Sequence, residues 1–381
     1  MKPTPSAATQ ARASTVALVL QGGGALGAYQ GGAYEALADA GQTPNWLAGI
    51  SIGAINAALI AGNPPERRVE RLRSFWQRIT QYVPSLAWTG VQGPMRAWAN
   101  NGSAAWGAAF GLPDFFLPRQ VFAPWLCDQT QPSLYDTAPL HNTLLELVDF
   151  DRINHGDTRL SVGAVDVASG NFIYFDSAHQ RIGPEHVMAS GALPPGFPAV
   201  MIDGLAYWDG GLVSNTPLRH VVEHLGDCDA TIFQVDLFSA RGKLPHTLAE
   251  VADREKDIRY SSRTRALTDM LRERHAMRGA LRELAALLPL ARRTDPRVAE
   301  LLTTLGADAP DPSVTLVHLI HRHRSTETQT RDFEFSAASM REHWANGRAD
   351  MAHSLRALAR AVPAEQTGAF RVFDYTAPAK A

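Results

Sequence analysis

Apolar residues in this chain come in short runs, broken by glycine and separated by longer amphipathic stretches. Val16-Ala17-Leu18-Val19-Leu20 is an unbroken apolar run and predicts a buried strand. Gln21-Gly22-Gly23-Gly24-Ala25-Leu26-Gly27 follows as a glycine-rich turn. Residues 28–40 read as a helix that stops at Gly41. Residues 46–49 form a second short strand, and 54–61 a helix of small and apolar residues closed by Gly62, Pro64 and Pro65. Residues 66–82 form an arginine-rich amphipathic helix. Residues 159–167 and 171–176 predict a hairpin around Ala168-Ser169-Gly170. A helix starts at 184–189, a Pro/Gly loop spans 190–198, and a strand at 205–208 runs into Asp209-Gly210-Gly211. A helix over 216–225 and a buried strand over 230–237 complete this part. Such alternation predicts an α/β protein with a mostly parallel central sheet covered on both faces.

Two segments depart from this pattern. Residues 83–126 mix Gly and Pro with Trp88, Trp98, Trp106, Phe110, Phe115, Phe116, Phe122 and Trp125. They are expected to be an irregular insertion. Its aromatics either pack on the core or cap an acyl-binding groove. Past residue 240, the stretch 241–300 holds 14 Lys/Arg against 9 Asp/Glu and reads as helices. One further strand is expected at 314–320 and an amphipathic helix at 337–361. The expected organisation is a disordered polar tail (1–14), an α/β domain (15–240) and a mainly helical C-terminal region (241–381).

Composition narrows the function classes. With 45% hydrophobic and 19% charged residues, the chain has the balance of a globular protein with a sizeable core. The 36 basic and 38 acidic residues give no global attraction to nucleic acid. No apolar run approaches the roughly 18 residues that a membrane span needs. Residues 1–14 carry Lys2 and Arg12 but no apolar core of a signal peptide. A cytoplasmic location is therefore expected, with any membrane contact peripheral. The basic helical face of 241–300 could meet anionic headgroups, although such faces are more often simply solvated. Cys127 and Cys228 lack metal-ligand spacing and read as ordinary thiols of a reducing compartment. His321 and His323 share a strand face, but no third ligand accompanies them, so no metal is expected. A homo-oligomer is compatible with the sequence.

The chemistry concentrates at Gly49-Ile50-Ser51-Ile52-Gly53. This GxSxG sits between a strand and a helix, the setting of a nucleophile elbow. Gly49 and Gly53 let strand and helix approach without Cβ clashes. The loop Gly22-Gly23-Gly24-Ala25-Leu26-Gly27 also fits GxGxxG, the dinucleotide fingerprint. A ribose site would want an acidic residue at the end of the second strand, which ends in Gly49-Ile50-Ser51; Asp39 lies at a helix end. The other use of successive glycines is an oxyanion hole, because their N–H groups point out unobstructed. Serine needs a base. His179, His186 and His220 occupy no distinctive turn. Asp209 stands at a strand end before Gly210-Gly211, either as a general base or as an Asx-type turn former.

Together these motifs resemble the patatin-like phospholipase family over about residues 15–220. The glycine loop, the GxSxG elbow and the distal Asp-Gly-Gly occur in order, and Ala189-Ser190-Gly191-Ala192-Leu193-Pro194 with Phe197-Pro198 looks like the loop before the family's aspartate. The resemblance implies a three-layer α/β/α fold and a Ser51–Asp209 dyad without histidine. It also implies an oxyanion hole at Gly22, Gly23 and Gly24, an ester or lipid substrate, and no cofactor. Gly49, Gly53, Gly210 and Gly211 would support elbow and turn. Two positions depart from the family's usual pattern. Leu26 stands where Arg or Lys is usual, and Gln21 where Asp is common. The departures leave the dyad intact and bear on whether the ester carries a phosphate. A short-chain carboxylesterase acting on neutral esters, such as storage-polyester oligomers, is the alternative within the class; a dinucleotide-binding protein is the alternative outside it.

Overall fold

The long apolar runs become strands buried on both faces. In this computed structural model, which describes residues 14–84, 94–119, 132–308, 311–322, 329–361 and 369–376, nine strands form one sheet among the described residues. They are β1 (Ser14–Leu20), β2 (Trp46–Gly49), β3 (Arg159–Asp166), β4 (Phe172–Asp176), β5 (Val200–Ile202), β6 (Leu205–Asp209), β7 (Asp229–Asp236), β8 (Val314–Ile320) and β9 (Phe370–Asp374). The order is β9-β8-β7-β1-β2-β3-β6-β5, with β4 paired to β3. The block from β9 to β3 is wholly parallel, and β4, β5 and β6 run antiparallel to their neighbours. Leu20 of β1 is level with Gly49 on one side and Val235 on the other. Three strands therefore end together at one edge, where ligands bind in sheets of this kind.

Helices cover both faces. They are α1 (Ala28–Asp39), α2 (Ile52–Ala61), α3 (Arg68–Thr80), α4 (Pro94–Phe110), α5 (Ala138–Leu147), α6 (Phe150–His155), α7 (Pro184–Ser190), α8 (Leu218–Glu223), α9 (Leu248–Leu287), α10 (Leu290–Arg293), α11 (Pro296–Thr304) and α12 (Ala337–Arg360). Alternation along β1 divides the core. Leu18 and Leu20 pack with α1, α2, α3 and α12, while Ala17 and Val19 pack with α8 and α9. This is the three-layer α/β arrangement that the strand–helix alternation predicts.

The C-terminal region joins the same sheet: β8 and β9 extend it from β7, and α12 lies across α1. The second of these strands, β9, is missing from the sequence reading. Phe370-Arg371-Val372-Phe373-Asp374 is short and only half-buried at the sheet edge, so its apolar signal is weak. The α1–α12 crossing is close because small residues meet there. A Cβ on Gly32 would lie 1.9 Å from the carbonyl oxygen of Trp344, and one on Gly347 1.9 Å from that of Tyr29.

The aromatic insertion also differs from expectation, since it contains the 17-residue helix α4. Asn100, Asn101, Gly102 and Gly107 hide it from a reading by periodicity, while its alanines favour it. Residues 1–13, Trp88, Phe122, Trp125, Cys127 and His323 lie outside the described residues. Cys228 is half-buried and free. No helix among the described residues is long and apolar enough to cross a membrane.

Two stability outcomes follow from this packing. Gly32→Val should lower stability by about 2–3 kcal/mol or prevent folding, read by chemical denaturation. A chain ending at residue 240 should give no cooperative melting transition in circular dichroism, because β7 would lose its partner β8.

Candidate functional site

The site forms where β1, β2 and β7 end. Ser51 follows Gly49 and Ile50 and starts α2 with φ 55° and ψ −125°. A positive φ is strained for a residue with a Cβ, so surrounding contacts must hold it. Its N–H donates to both the backbone oxygen (3.1 Å) and Oγ (3.0 Å) of Ser190. The elbow closes only with glycine on either side. A Cβ on Gly49 would lie 2.3 Å from the Gly53 oxygen, and one on Gly53 2.3 Å from the Leu20 oxygen.

Asp209 ends β6, opposite Ala164 of β3, and its N–H donates to the Ala192 oxygen at 3.0 Å. The segment Ser190–Ala192 thus grips Ser51 and Asp209 together. Asp209 is almost fully buried, and its carboxylate lines the same cavity as Ser51, whose hydroxyl favours its ionised form. It also accepts the Gly211 N–H at 2.7 Å. The turn-forming reading of Asp209 therefore applies. Burial pushes its carboxyl up to about 6, against the opposing pull of the Ser51 hydroxyl and the Gly211 N–H.

The glycine loop lies beside Ser51. A Cβ on Gly22 would meet Asn215 Oδ1 at 2.4 Å and the Ser51 Cβ at 3.0 Å. The Gly22 N–H is already engaged, donating to the Asn215 oxygen at 3.2 Å, and Asn215 Nδ2 returns a bond to the Gly22 oxygen at 3.0 Å. The amides of Gly23 and Gly24 have no partner among the described residues, and both glycines line the same cavity as Ser51. The next amide, Ala25 N–H, donates to the Asp332 oxygen at 2.7 Å. Of the three glycines named from sequence, two therefore have a free donor and the third positions the loop.

Gln21 anchors the loop from below. Its fully buried Oε1 accepts from Leu237 N–H (2.7 Å) and Phe238 N–H (3.1 Å). Its Nε2 donates to Thr216 Oγ1 (3.0 Å) and the Tyr260 oxygen (3.3 Å). Leu26 is buried in the core and does not line the cavity at Ser51.

The cavity holds about 450 Å³. Ile55, Phe115, Phe116, Phe197 and Phe335 give it apolar walls, with Phe116 and Phe197 ring centroids 5.4 Å apart. Phe115 and Phe116 are the insertion aromatics that face it, while Trp98 and Phe110 of α4 are exposed. No Lys or Arg lines it among the described residues. Sequence reasoning missed Asn215, Tyr260, Asp332, Phe333 and Phe335. The last four lie beyond the resemblance, and the only signal for Phe333 and Phe335 was the alternating Phe333-Glu334-Phe335.

None of the three histidines weighed as a base lines this cavity. His179 is exposed. His186 Nδ1 accepts from Gly183 N–H at 2.9 Å. His220 Nε2 lies 2.8 Å from Asp176, which Ser161 and Arg159 also bind. Burial alone would raise the Asp176 carboxyl, but these three partners outweigh it and hold it well below the usual range. Asp39 pairs with Arg348 at 2.9 Å and lies away from the glycine loop, so it offers no ribose carboxylate there. No cluster of three or more metal-ligating side chains occurs among the described residues.

Fold and site define a three-layer α/β protein with a serine on a strand–helix elbow beside a glycine loop. The chain belongs to the patatin-like phospholipase family, whose description matches residues 18–222; a second description, "Patatin phospholipase", matches residues 258–365. The family is one of lipid acyl hydrolases. No curated protein matches the sequence. Among solved structures, VipD from Legionella pneumophila is similar at 14% identity, covering 91% of this chain and 67% of that one, with a TM-score of 0.38. A chain of the complex of full-length SpcU with full-length ExoU from the type III secretion system of Pseudomonas aeruginosa is 18% identical. It covers 65% of this chain and 50% of that one, with a TM-score of 0.27.

Removing the anchor isolates its contribution. Gln21→Leu would leave two buried N–H groups without an acceptor and should lower stability by about 2–4 kcal/mol, measured by urea denaturation.

Proposed function

We propose that this protein is a serine acyl hydrolase that cleaves the carboxylic ester of a lipid through a Ser51–Asp209 dyad. The observation that carries this reading is a strained Ser51 sharing one cavity with a buried Asp209 whose carboxyl is pushed up to about 6. A base with that value is ionised at neutral pH yet basic enough to take a proton in the transition state.

In this mechanism Asp209 accepts the Ser51 proton as Oγ attacks the ester carbonyl. The Gly23 and Gly24 amides bind the developing oxyanion; each such donor contributes about 3–4 kcal/mol. The tetrahedral intermediate collapses, the C–O bond breaks, and the alcohol leaves with the proton from Asp209. Water then gives a proton to Asp209 and attacks the acyl-enzyme. Collapse releases the carboxylic acid and returns the proton to Ser51. The aromatic cavity takes the acyl chain. Gly49, Gly53, Gly210 and Gly211 keep elbow and turn in place. No step needs a metal or an organic cofactor. A second reading has one observation in its favour. Among the described residues the cavity lining holds no cation for a phosphate, which suits a neutral ester and a carboxylesterase.

Ser51→Ala should abolish hydrolysis of p-nitrophenyl esters of every chain length with the melting curve unchanged; retained turnover in pure variant would sink the scheme. Asp209→Asn should lower kcat roughly a thousandfold. In the wild type, kcat/KM should fall as pH drops through about 6, because Asp209 must be ionised to act. Release of fatty acid from phospholipid supports the lipid reading, whereas activity confined to short neutral esters supports the second.

Asp209 has an opposite effect on stability. Its pKa is higher folded than unfolded, so its contribution is full below the unfolded value and is lost as pH rises through about 6. Asp209→Asn should therefore melt higher than wild type at pH 8, by the equivalent of roughly 2–3 kcal/mol, and similarly to it at pH 4.

A further inference from the structure

The acyl-transfer scheme gives Asn215 no chemical task. Its place follows from the turn after Asp209. The Asp209 carboxylate takes the Gly211 N–H at 2.7 Å, and the Val213 and Ser214 N–H groups both donate to the Gly210 oxygen, at 3.0 and 2.9 Å. This tight turn brings Asn215 back beside the aspartate. The glycine loop then settles which way its carboxamide faces. Asn215 Nδ2 lies 3.0 Å from the Gly22 oxygen, which can only accept, so the NH2 group belongs there. Oδ1 is the remaining polar atom, and it accepts no bond from any described residue. Yet Asn215 is only 7% exposed and lines the cavity at Ser51. A buried amide oxygen without a protein donor calls for a donor from outside the chain.

Two points in space locate this oxygen. A Cβ on Gly22 would lie 2.4 Å from Asn215 Oδ1 and 3.0 Å from the Ser51 Cβ. A Cβ on Gly211 would lie 3.1 Å from Asn215 Oδ1 and also 3.1 Å from Asp209 Oδ1. The amide oxygen therefore neighbours both members of the proposed dyad. Glycine at 211 keeps a side chain out of the space between it and the carboxylate. A water molecule, with hydrogen bonds of about 2.8 Å to each of two acceptors, bridges a gap of this size.

The second half of acyl transfer needs such a bridge. The attacking water carries two protons, and Asp209 takes only one. Held by Asp209 alone, the water swings about that single bond; a second acceptor fixes its lone pair on the acyl carbon. Acylation makes no such demand, because the backbone already holds Ser51.

We propose that Asn215 Oδ1 is the second acceptor for the hydrolytic water, and so a catalytic residue of deacylation. The proposal rests on the Ser51–Asp209 reading. In this step the water oxygen bonds to the acyl carbon as one of its O–H bonds breaks and the proton passes to Asp209. The other O–H stays whole and donates to Asn215 Oδ1. The C–O bond to Ser51 then breaks, Asp209 returns its proton to Ser51 Oγ, and the carboxylic acid leaves with the proton that was never transferred.

Methanol supplies the test. It has one hydroxyl proton for Asp209 and a methyl group where water has its second proton, so it makes no bond to Asn215 Oδ1. Wild type, Asn215→Leu and Asn215→Asp are each given a p-nitrophenyl ester at pH 8 with added methanol, and the free acid and methyl ester formed are quantified. Leucine matches asparagine in shape but has no acceptor. Aspartate keeps an acceptor oxygen and, like leucine, loses the bond to Gly22. The expected ratio of methyl ester to acid is roughly tenfold above wild type in Asn215→Leu and close to wild type in Asn215→Asp. Acyl-Ser51 should accumulate in Asn215→Leu alone, seen as added mass after rapid quenching. The ratio is set within each folded molecule, so a variant that folds only in part still reports it. A wild-type ratio in Asn215→Leu would overturn the proposal. So would an equal rise in both variants, which would trace the effect to the lost Gly22 bond. Methyl ester formed equally well by Ser51→Ala would instead remove the acyl-enzyme, and with it the underlying Ser51–Asp209 reading.

Discussion

One buried carboxamide sets the position of everything at the sheet edge. Gln21 joins the end of β1 to the chain leaving β7, to Thr216 beyond Asp-Gly-Gly, and to Tyr260 of α9. Such a junction needs an acceptor and donors on one side chain. An amide has both, whereas the aspartate usual here in the family would have only acceptors when ionised. The substitution therefore reflects local hydrogen-bond demand: two N–H groups on one side, a hydroxyl and a carbonyl on the other. Gly22, Gly23 and Gly24 follow directly, so the position of the glycine loop beside Ser51 depends on how firmly Gln21 is held.

Around that junction, backbone packs on backbone. The elbow, the glycine loop and the α1–α12 crossing all bring main chains to distances that no Cβ would permit. Interiors packed this way transmit displacement instead of absorbing it. The strain stored at Ser51 persists because Ser190, Gly49 and Gly53 leave it no room to relax.

Much of this was legible in the sequence, for identifiable reasons. Strand β1, the elbow and the Asp-Gly-Gly turn each carry a local signature, an apolar run or glycines at fixed offsets. Ser51 and Asp209 were legible as candidates because each stands at a glycine-marked turn. Asn215 was not, because its role is a reciprocal bond to Gly22, far away in the chain. Phe333 and Phe335 were not, because nothing local says which cavity an aromatic will face. Helix α4 was hidden by asparagine and glycine, and β9 by its half-exposed edge. The boundary at residue 240 followed a change in composition, but composition does not record that β8 pairs with β7. Long-range pairing is what single-sequence patterns lack.

The placement of β1 has a consequence for the timing of synthesis. This first strand lies between β2, which emerges soon after it, and β7, which comes some two hundred residues later. The carbonyl that takes the Ala25 amide belongs to Asp332, later still. A nascent chain on the ribosome would carry Ser51 and its glycines long before it had the parts that orient them. The proposed site would stay unassembled until the chain had been made past Asp332, so a hydrolase directed at lipid would be withheld from its substrate through most of that synthesis.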